Sequence, residues 1–501
     1  MEIVEGEATH VVDIPGVNDN EGLLAKIRDR CSNCDTSTLP PETRTNEKRC
    51  IFRLPTRLQN INGKSIEPQV VALGPYHHGK PRLQMMEELK WRWFTYLMES
   101  INGKLEECLI ELGLLEKEVR ECYSESETIN LSSDELLQMM LVDGCFILML
   151  FIRTFIQIAY PYRDLDLAEA IDLDLDVAKT LPPRLADDLQ LDLDVATMFL
   201  VDIPIFRLDM VILPKIYRDL LLLENQIPSC VLKTLYRICC NISSNKYSLS
   251  YMAMTFLCST SVIPNSRNMP GSLEWLHLLD LVRLIFISRR STKVISGTHI
   301  RPFNPIPCVT KLCRAGIKVN RYIADTFLDV KFKNGVIKMP DIILDDSMCS
   351  LLVNCVAFEQ SYNISKYFSN YVTLLDCLVN TTRDVDYLCN CRVIDNFFGT
   401  DAEATQFINN LGKDLTIIYK DRGDNDDFFL LDVFGDVNEY YRKRLSWGNW
   451  QWTSNWQWTS FKREYFGRPW LLIPALVGFV ILVLTFLQTH YTICDHVHPK
   501  N

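Results

Sequence analysis

The stretch ELLQMMLVDGCFILMLFIRTFIQIAY, residues 135–160, decides the fold because it is apolar on nearly every side of a helix. Asp143 and Arg153 interrupt it, so the uninterrupted part is shorter than the roughly 20 apolar residues that a membrane-spanning helix needs. A helix that is apolar all round but too short to cross a bilayer belongs in the core of a large body. The stretch therefore predicts a buried core helix.

Segments on both sides of this stretch also have helical periodicity. Residues 84–101 place their large apolar side chains on one face, and residues 273–286, LEWLHLLDLVRLIF, predict a second amphipathic helix. Within residues 218–238, Pro228 fits the first turn of a new helix after a polar break at 224–226. The apolar face of the first of these helices consists of Met86, Leu89, Trp93 and Leu97.

One segment predicts strands. Residues 329–344, DVKFKNGVIKMPDIIL, alternate in polarity and turn at Lys333-Asn334-Gly335, which is the strongest hairpin signal in the chain. The predicted fold is therefore mainly α, an α+β arrangement with minor strands, in one large helical body.

Changes in composition predict the domain organisation. Residues 1–45 are polar and predict a mobile N-terminal tail, and residues 46–466 predict the body. Within it, residues 164–196 form an acidic stretch rich in Leu and Asp, which predicts a surface insertion. The same sequence also fits a strand. A third interpretation is the Leu-x-Leu-x-Leu pattern of plant transcriptional repression motifs, and the chain would then be a transcriptional regulator that is released from a membrane. Residues 470–491 predict a transmembrane helix and residues 492–501 a short C-terminal tail.

The C-terminal segment predicts a single-pass anchor. WLLIPALVGFVILVLTFL, residues 470–487, has no charge and spans about 27 Å as a helix, with Trp470 and Tyr491 where interfacial aromatics belong. Three cations precede it and one follows, so the positive-inside bias predicts a cytosolic body at the plasma membrane or the endoplasmic reticulum. In the alternative orientation the body lies outside the cytosol, and four sequons would be open to glycosylation. The cations are Lys462, Arg463, Arg468 and Lys500, and the sequons are Asn130, Asn241, Asn363 and Asn380.

Charge and cysteine usage exclude two classes of function. The chain has 501 residues and a formal net charge of −11, without the basic stripe that nucleic-acid binding needs, so no nucleic-acid partner is predicted. Its 18 cysteines are scattered through apolar runs and predict buried free thiols, kept reduced in the cytosol. Cys31 and Cys34 form a C-x-x-C without a second pair at zinc spacing, so no zinc site is predicted.

Ordered motifs run through the body. They are IFRLPTRLQ, VALGPYHHGKPRLQMMEELKWRW, VDGCFIL, RDLLLLENQIPSCVL, HLLDLVR, FKNGVIKMP, FEQSYN, DVNEYYRKR and YFGRPW, between Cys50 and Tyr491. The set resembles a plant family known as domain of unknown function 247. Residues 164–196 and the tandem NWQWTS at 449–460 depart from the family pattern. The family-motif positions singled out are Pro75, Tyr76, His77, His78, Gly79, Asp143, Gly144, Glu224, Asn225, Gln226 and Pro228.

The resemblance implies a plant membrane protein with one C-terminal span and no established enzymatic chemistry. Some grass members of the family are associated with the two self-incompatibility loci, where they are candidate pollen-side determinants. The expected function is therefore that of a non-enzymatic, membrane-anchored recognition protein, with a pollen-side self-incompatibility role as its narrower form. Its expected partners are an unknown protein and the lipid bilayer.

The adjacent His77 and His78 are the main candidates for a reactive centre. A metal site needs further ligands, and neighbouring residues of a turn usually point apart. The chain has no H-E-x-x-H, G-x-S-x-G or phosphate-loop signature. Asp143 and Glu224 are conceivable partners of His78, but the spacing does not fix their distance. The sequence predicts a packing loop without catalytic, cofactor-binding or metal-binding residues; the alternative is an unrecognised hydrolase or metal enzyme centred on this loop.

Overall fold

The computed structural model describes residues 49–59, 61, 66–100, 104–123, 130–159, 212–239, 248–259, 273–290, 303–362, 364–413, 415, 428–447, 478 and 480–489. All of these residues except Arg49 belong to one unit that begins at Cys50. The predictions for residues 1–45, for the insertion at 164–196, for the NWQWTS repeat and for Trp470 and Tyr491 lie outside the described residues.

Helices dominate the described chain, which confirms the predicted mainly helical body. In chain order they are α1 Thr56–Gln59, α2 Gln84–Ser100, α3 Leu105–Cys122, α4 Ser133–Ala159, α5 Ile212–Asp219, α6 Ser229–Cys239, α7 Leu249–Cys258, α8 Leu278–Ser288, α9 Val309–Arg314, α10 Asp346–Ser361, α11 Tyr367–Leu378, α12 Thr382–Asn390, α13 Asp401–Gly412, α14 Leu431–Trp447 and α15 Val480–Thr489. Two short 3₁₀ turns are at Pro81–Leu83 and Leu223–Asn225.

Helix α4 lies at the centre of the first part of the body. Every residue from 139 to 152 is buried, and helices α2, α3, α6 and α7 pack around it. Aromatic contacts join α4 to its neighbours: Trp93 lies 5.2 Å from Phe146, and Phe151 lies 5.1 Å from Phe256, between ring centroids. This surrounding explains the all-round apolar sequence, because each buried large side chain stabilises the fold by about 1.5–3 kcal/mol.

Among the described residues, one helix, Ser133–Phe155, is long and apolar enough to cross a membrane, and most of it is buried within the body. The predicted core helix is thereby confirmed. Val480–Thr489 is a shorter apolar helix. Much of the predicted span at 470–491 lies outside the described residues, so the anchor stays a prediction.

Short strands lie in the second part of the body. β1 Lys318–Arg321 pairs in parallel with β3 Val336–Met339, and β2 Lys331–Lys333 pairs with β3 in the antiparallel sense. Asn334 and Gly335 have φ values of 53° and 77°, as a two-residue primed hairpin turn requires, which confirms the predicted hairpin. β4 Ile342–Leu344 pairs in parallel with β5 Ile394–Asn396.

Two helix starts differ from the prediction. The helix predicted from residue 273 begins only at Leu278, because His277 has extended backbone and its Nδ1 accepts a hydrogen bond from Asp280 N at 3.3 Å as an N-cap. Pro228 lies immediately before α6 rather than in its first turn, and its carbonyl accepts from Val231 N at 3.1 Å.

Candidate functional site

The family-motif residues meet in a buried network that we call the polar junction. It comprises the loop at 69–77, Asp143 on α4 with its partner Lys90 on α2, and the turn at 219–226. The loop contains neither helix nor strand, so its backbone N–H groups need partners from elsewhere in the chain. The side chains of the turn and of Asp143 supply them.

Asp143 joins the loop to helix α2. Its Oδ2 accepts from Gly74 N at 2.8 Å, and its Oδ1 accepts from Lys90 Nζ at 2.6 Å. The fully buried Lys90 ammonium also donates to Glu87 Oε1 at 2.6 Å and to the carbonyl of Ala72. Burial alone lowers the pKa of Lys90, but the two carboxylates outweigh it and raise the pKa above the usual value. The three ammonium protons therefore each have an acceptor.

Asp219 and Asn225 bind the backbone of the same loop. The Asp219 carboxylate accepts from the N–H groups of residues 69–71 at 2.7–3.1 Å and lies 3.0 Å from Arg218 Nη1. Burial raises the pKa of Asp219, although these hydrogen bonds oppose the rise. Asn225 Oδ1 accepts from Leu73 N at 2.7 Å, and Asn225 Nδ2 donates to the Val71 carbonyl at 3.0 Å. The amide thus replaces the neighbouring strand that the loop lacks.

Gln226 connects the turn to two helices. Its Nε2 donates to the carbonyls of Leu220 and Leu222 at 2.7 and 2.8 Å, and its Oε1 accepts from Leu279 N at the start of α8 at 3.2 Å. The Gln226 carbonyl accepts from Tyr123 Oη, just beyond α3, at 2.9 Å. All of these groups are buried, so this residue holds the turn in place by its hydrogen bonds.

His77 and Glu224 form the only motif pair that resembles a catalytic dyad among the described residues. Glu224 Oε1 accepts from Leu54 N at 2.7 Å, while its Oε2 lies 3.7 Å from His77 Nε2, too far for a hydrogen bond. His77 is 3% exposed, and neither ring nitrogen has a hydrogen-bond partner in the described part of the chain. Burial, followed by the nearby Lys80 cation, lowers the pKa of His77 to about 4. The imidazole is therefore neutral at physiological pH.

Two motif glycines allow close approach at the junction. Gly74 has φ of 65°, and a Cβ there would lie 2.8 Å from the Gln226 carbonyl oxygen. At Gly144, where α4 crosses α6, a Cβ would lie 2.4 Å from Leu235 Cδ1. Gly79 has φ of 75° but an open surround, so its backbone conformation alone favours glycine.

The remaining motif residues of the loop pack rather than react. Tyr76 is buried and donates through Oη to the Ile51 carbonyl at 3.2 Å, and the Arg53 guanidinium lies 5.1 Å from its ring centroid. Pro75 is half-buried. His78 is exposed while His77 is buried, so the adjacent imidazoles do not share one site.

A cleft of ≈110 Å³ opens beside the junction. Asp143 in it is already bound by Lys90, and Glu135 accepts from the Ser132 N–H and hydroxyl at 2.9 Å. Its described lining contains no serine, threonine or cysteine as a nucleophile. The polar and aromatic residues that line it are His78, Glu87, Trp91, Glu135, Gln138 and Asp143.

The side chains of the polar junction connect the loop at 69–77 to helix α4 and to the turn at 219–226 through hydrogen bonds. The carboxylates and amides that the motifs supply are engaged with backbone N–H groups or with Lys90. In the described part of the chain, no group of three or more His, Cys, Asp or Glu side chains is placed to hold a metal ion.

Comparison with known proteins places these motifs in a family. A family model described as a plant protein of unknown function, DUF247, matches residues 51–484. The chain belongs to the DUF247 family. The resemblance inferred from the motifs is thereby confirmed, and the polar junction is built from DUF247 motif residues.

Two UPF0481 relatives from Arabidopsis thaliana are similar over most of their length. One is 28% identical over 487 residues, which cover 92% of this DUF247 chain and 89% of the relative. A second is 22% identical over 533 residues, which cover 87% and 89%. No solved structure matches the chain.

Two residues of the polar junction, and one residue that binds its turn, were not identified from the sequence. Lys90 lies four residues after Met86 and three before Trp93, on the apolar face of α2, and a cation at such a position signals a buried partner. Asp219 gave no comparable signal. Asn354 on α10 accepts from Leu223 N at 2.8 Å, and a separation of 131 positions along the chain leaves no local pattern to detect.

Proposed function

We propose that this DUF247 protein is a non-enzymatic recognition protein, anchored in a membrane by its C-terminal segment and binding a protein partner through its helical body. The exposed apolar surface of α15 carries the proposal. Its large apolar side chains are 39–70% exposed, and 480–484 are consecutive, so they point in every direction around the helix. A bilayer provides the apolar phase that such a helix lacks in water.

The polar junction supports a non-enzymatic role. Catalytic groups need pKa values and open positions suited to proton or group transfer, whereas the Asp143, Asp219 and Glu224 carboxylates bind backbone N–H groups of the protein itself. His77 is buried and neutral, which suits a packed loop better than a general base that reaches substrate.

Helix α3 supports the binding of a protein partner. Leu109, Ile110 and Leu114 are 39, 66 and 77% exposed, close together on one helix. Clustered apolar side chains on a surface mark contact sites for other proteins. Asn130 and Asn380, two of the sequons, are also exposed and report on the compartment that the body occupies.

A narrower form of the proposal is a pollen-side determinant of self-incompatibility, which rests on the resemblance to grass members of the family. Transcripts confined to pollen and high allelic diversity at the exposed positions of α3 are expected in that case. Uniform expression throughout the plant with little allelic variation would exclude the narrower form and leave the broader one.

The anchor is tested by alkaline extraction of plant membranes. Full-length protein is expected to stay in the pellet, and deletion from Trp470 onward is expected to release it. Deletion of residues 492–501 alone is the matched control and leaves the protein in the membrane. Full-length protein in the alkaline supernatant would contradict the proposal.

The orientation and the partner need separate experiments. With the body in the cytosol, glycosidase treatment of the full-length protein leaves its mobility unchanged, while a shift would place the body in the secretory lumen. For the partner, the tail-deleted protein is used in a pull-down from reproductive tissue. Leu109→Glu with Leu114→Glu is expected to abolish capture, and Ile323→Glu, at an apolar side chain that is 90% exposed elsewhere, is the control that retains it.

A further inference from the structure

Four cysteines form two thiol pairs at opposite ends of helix α3. Cys108, near its start, shares a thiol–thiol hydrogen bond with Cys239, the last residue of α6. Cys122, the last residue of α3, shares one with Cys50. Each pair therefore joins one end of α3 to a segment that is distant in sequence.

Polar contacts on both sides hold the first pair together. Lys104 Nζ donates to the Ile238 carbonyl at 3.0 Å, one turn before Cys108. Arg237 Nη2 lies 2.8 Å from Glu111 Oε2, about one turn after it. The pair thus lies between two fixed cross-links of α3 and α6.

Backbone hydrogen bonds hold the second pair together. The N–H groups of Cys50 and Ile51 both donate to the Cys122 carbonyl, at 3.1 and 3.0 Å. The Cys50 carbonyl is itself bound by His277 Nε2 at 3.1 Å. A direct backbone bond between two cysteines brings their Cα atoms into the range that a disulfide bridges.

All four cysteines are buried, but one of each pair is less deeply buried than the other. Cys50 and Cys108 are 1% and 0% exposed, while Cys122 and Cys239 are 8% and 7% exposed. Thiol–disulfide exchange begins at the thiolate that the oxidant reaches more easily, and the second thiolate then resolves the mixed disulfide.

We propose that Cys50–Cys122 and Cys108–Cys239 are redox-sensitive disulfide sites that fasten both ends of α3 to the body. The oxidant is a disulfide. In each pair the thiolate of the less deeply buried cysteine, Cys122 or Cys239, bonds to one oxidant sulfur and expels the other as a thiolate. The buried thiolate then displaces the bound sulfur, so two cysteine thiols become one disulfide and the oxidant becomes two thiols. In a reducing compartment both pairs stay as thiols.

The test uses purified full-length protein, kept native and treated with excess oxidised glutathione at about pH 8.5 until the reaction is complete, because the thiol–thiol hydrogen bond and burial raise the pKa of Cys50 and of Cys108 and slow the exchange. After alkylation in denaturant and digestion without reduction, mass spectrometry is expected to find the peptides of both pairs linked. The thermal midpoint is expected to rise by roughly 5–10 °C, because each bridge restricts the unfolded chain.

Variants separate the two sites. Cys122→Ser is expected to remove only the Cys50–Cys122 link, and Cys239→Ser only the Cys108–Cys239 link. Cys355→Ser, which replaces a fully buried thiol on α10, retains both. Full alkylation of all four cysteines, or a link from Cys122 to the neighbouring Cys230, would overturn the assignment, as would links without a rise in the midpoint.

Discussion

Replacing Asp143 with alanine tests the polar junction most directly. The variant leaves the Gly74 N–H without its acceptor and the buried Lys90 ammonium with only Glu87 and one carbonyl. Removing one partner of a buried ion pair costs about 3–5 kcal/mol, and an unsatisfied buried N–H costs about 1–3 kcal/mol. Both losses arise from the same carboxylate and overlap. Since Glu87 remains 2.6 Å from Lys90, we expect a loss of about 3–4 kcal/mol.

The measurement is denaturant unfolding of the tail-deleted protein, followed by circular dichroism. Lys90→Met combined with Asp143→Ala removes both charges, so the double variant is expected to lose at least about 1 kcal/mol less than the sum of the single variants. Glu88→Ala, at an exposed carboxylate of α2, is the control and is expected to change stability by less than about 0.5 kcal/mol. A loss below about 1 kcal/mol in Asp143→Ala, or additive single effects, would refute the reasoning.

Three further predictions test the packing, the buried imidazole and the insertion. Gly144→Ala is expected to destabilise by about 1–3 kcal/mol because its Cβ meets Leu235, whereas Gly113→Ala, with nothing within 4 Å, is expected to stabilise by up to about 1 kcal/mol; denaturant midpoints that move together would contradict this. The pKa of about 4 for folded His77 lies below the roughly 6.5 of the unfolded chain, so the unfolded state takes up the proton first and stability falls between those pH values as pH falls. His77→Asn is expected to flatten this part of the stability–pH curve, and an unchanged slope would show that the imidazole titrates freely. Deleting residues 164–196 is expected to leave a soluble body, since shortening the chain between Ala159 and Ile212 from 52 to 19 residues lowers the closure-entropy cost by only about 0.9 kcal/mol, whereas aggregation would show that its leucines belong to the core.

The sequence predicts those helices and strands that are determined by residues close together in the chain. The all-round apolar pattern of residues 135–160 identifies α4 as core, and Asn334-Gly335 determines both the turn and the register of β2 against β3. The predicted start of α8 was wrong because the N-cap is His277, whose backbone is extended. Helical periodicity does not reveal which residue caps a helix.

The motifs predicted several residues of the polar junction, but they did not predict how these residues are placed relative to one another. The motifs name Asp143, Glu224 and Asn225, yet the backbone N–H groups that donate to them lie 69–170 positions away. A sequence pattern contains no distance between such positions, so it leaves His78 as a conceivable partner of the carboxylates. In the structure His77 takes the place beside Glu224, and His78 faces the cleft.

The polar junction also has a consequence for synthesis on the ribosome. The N–H groups of residues 69, 71 and 73 bind Asp219 and Asn225, which follow them by 148–152 positions. At about 5–20 residues per second, the loop waits roughly 8–30 s for its acceptors to be made. Helix α4 emerges during that interval without α6 and α7, with its apolar surface uncovered. The nascent chain therefore exposes this apolar surface until the turn at 219–226 and the helices after it have left the ribosome.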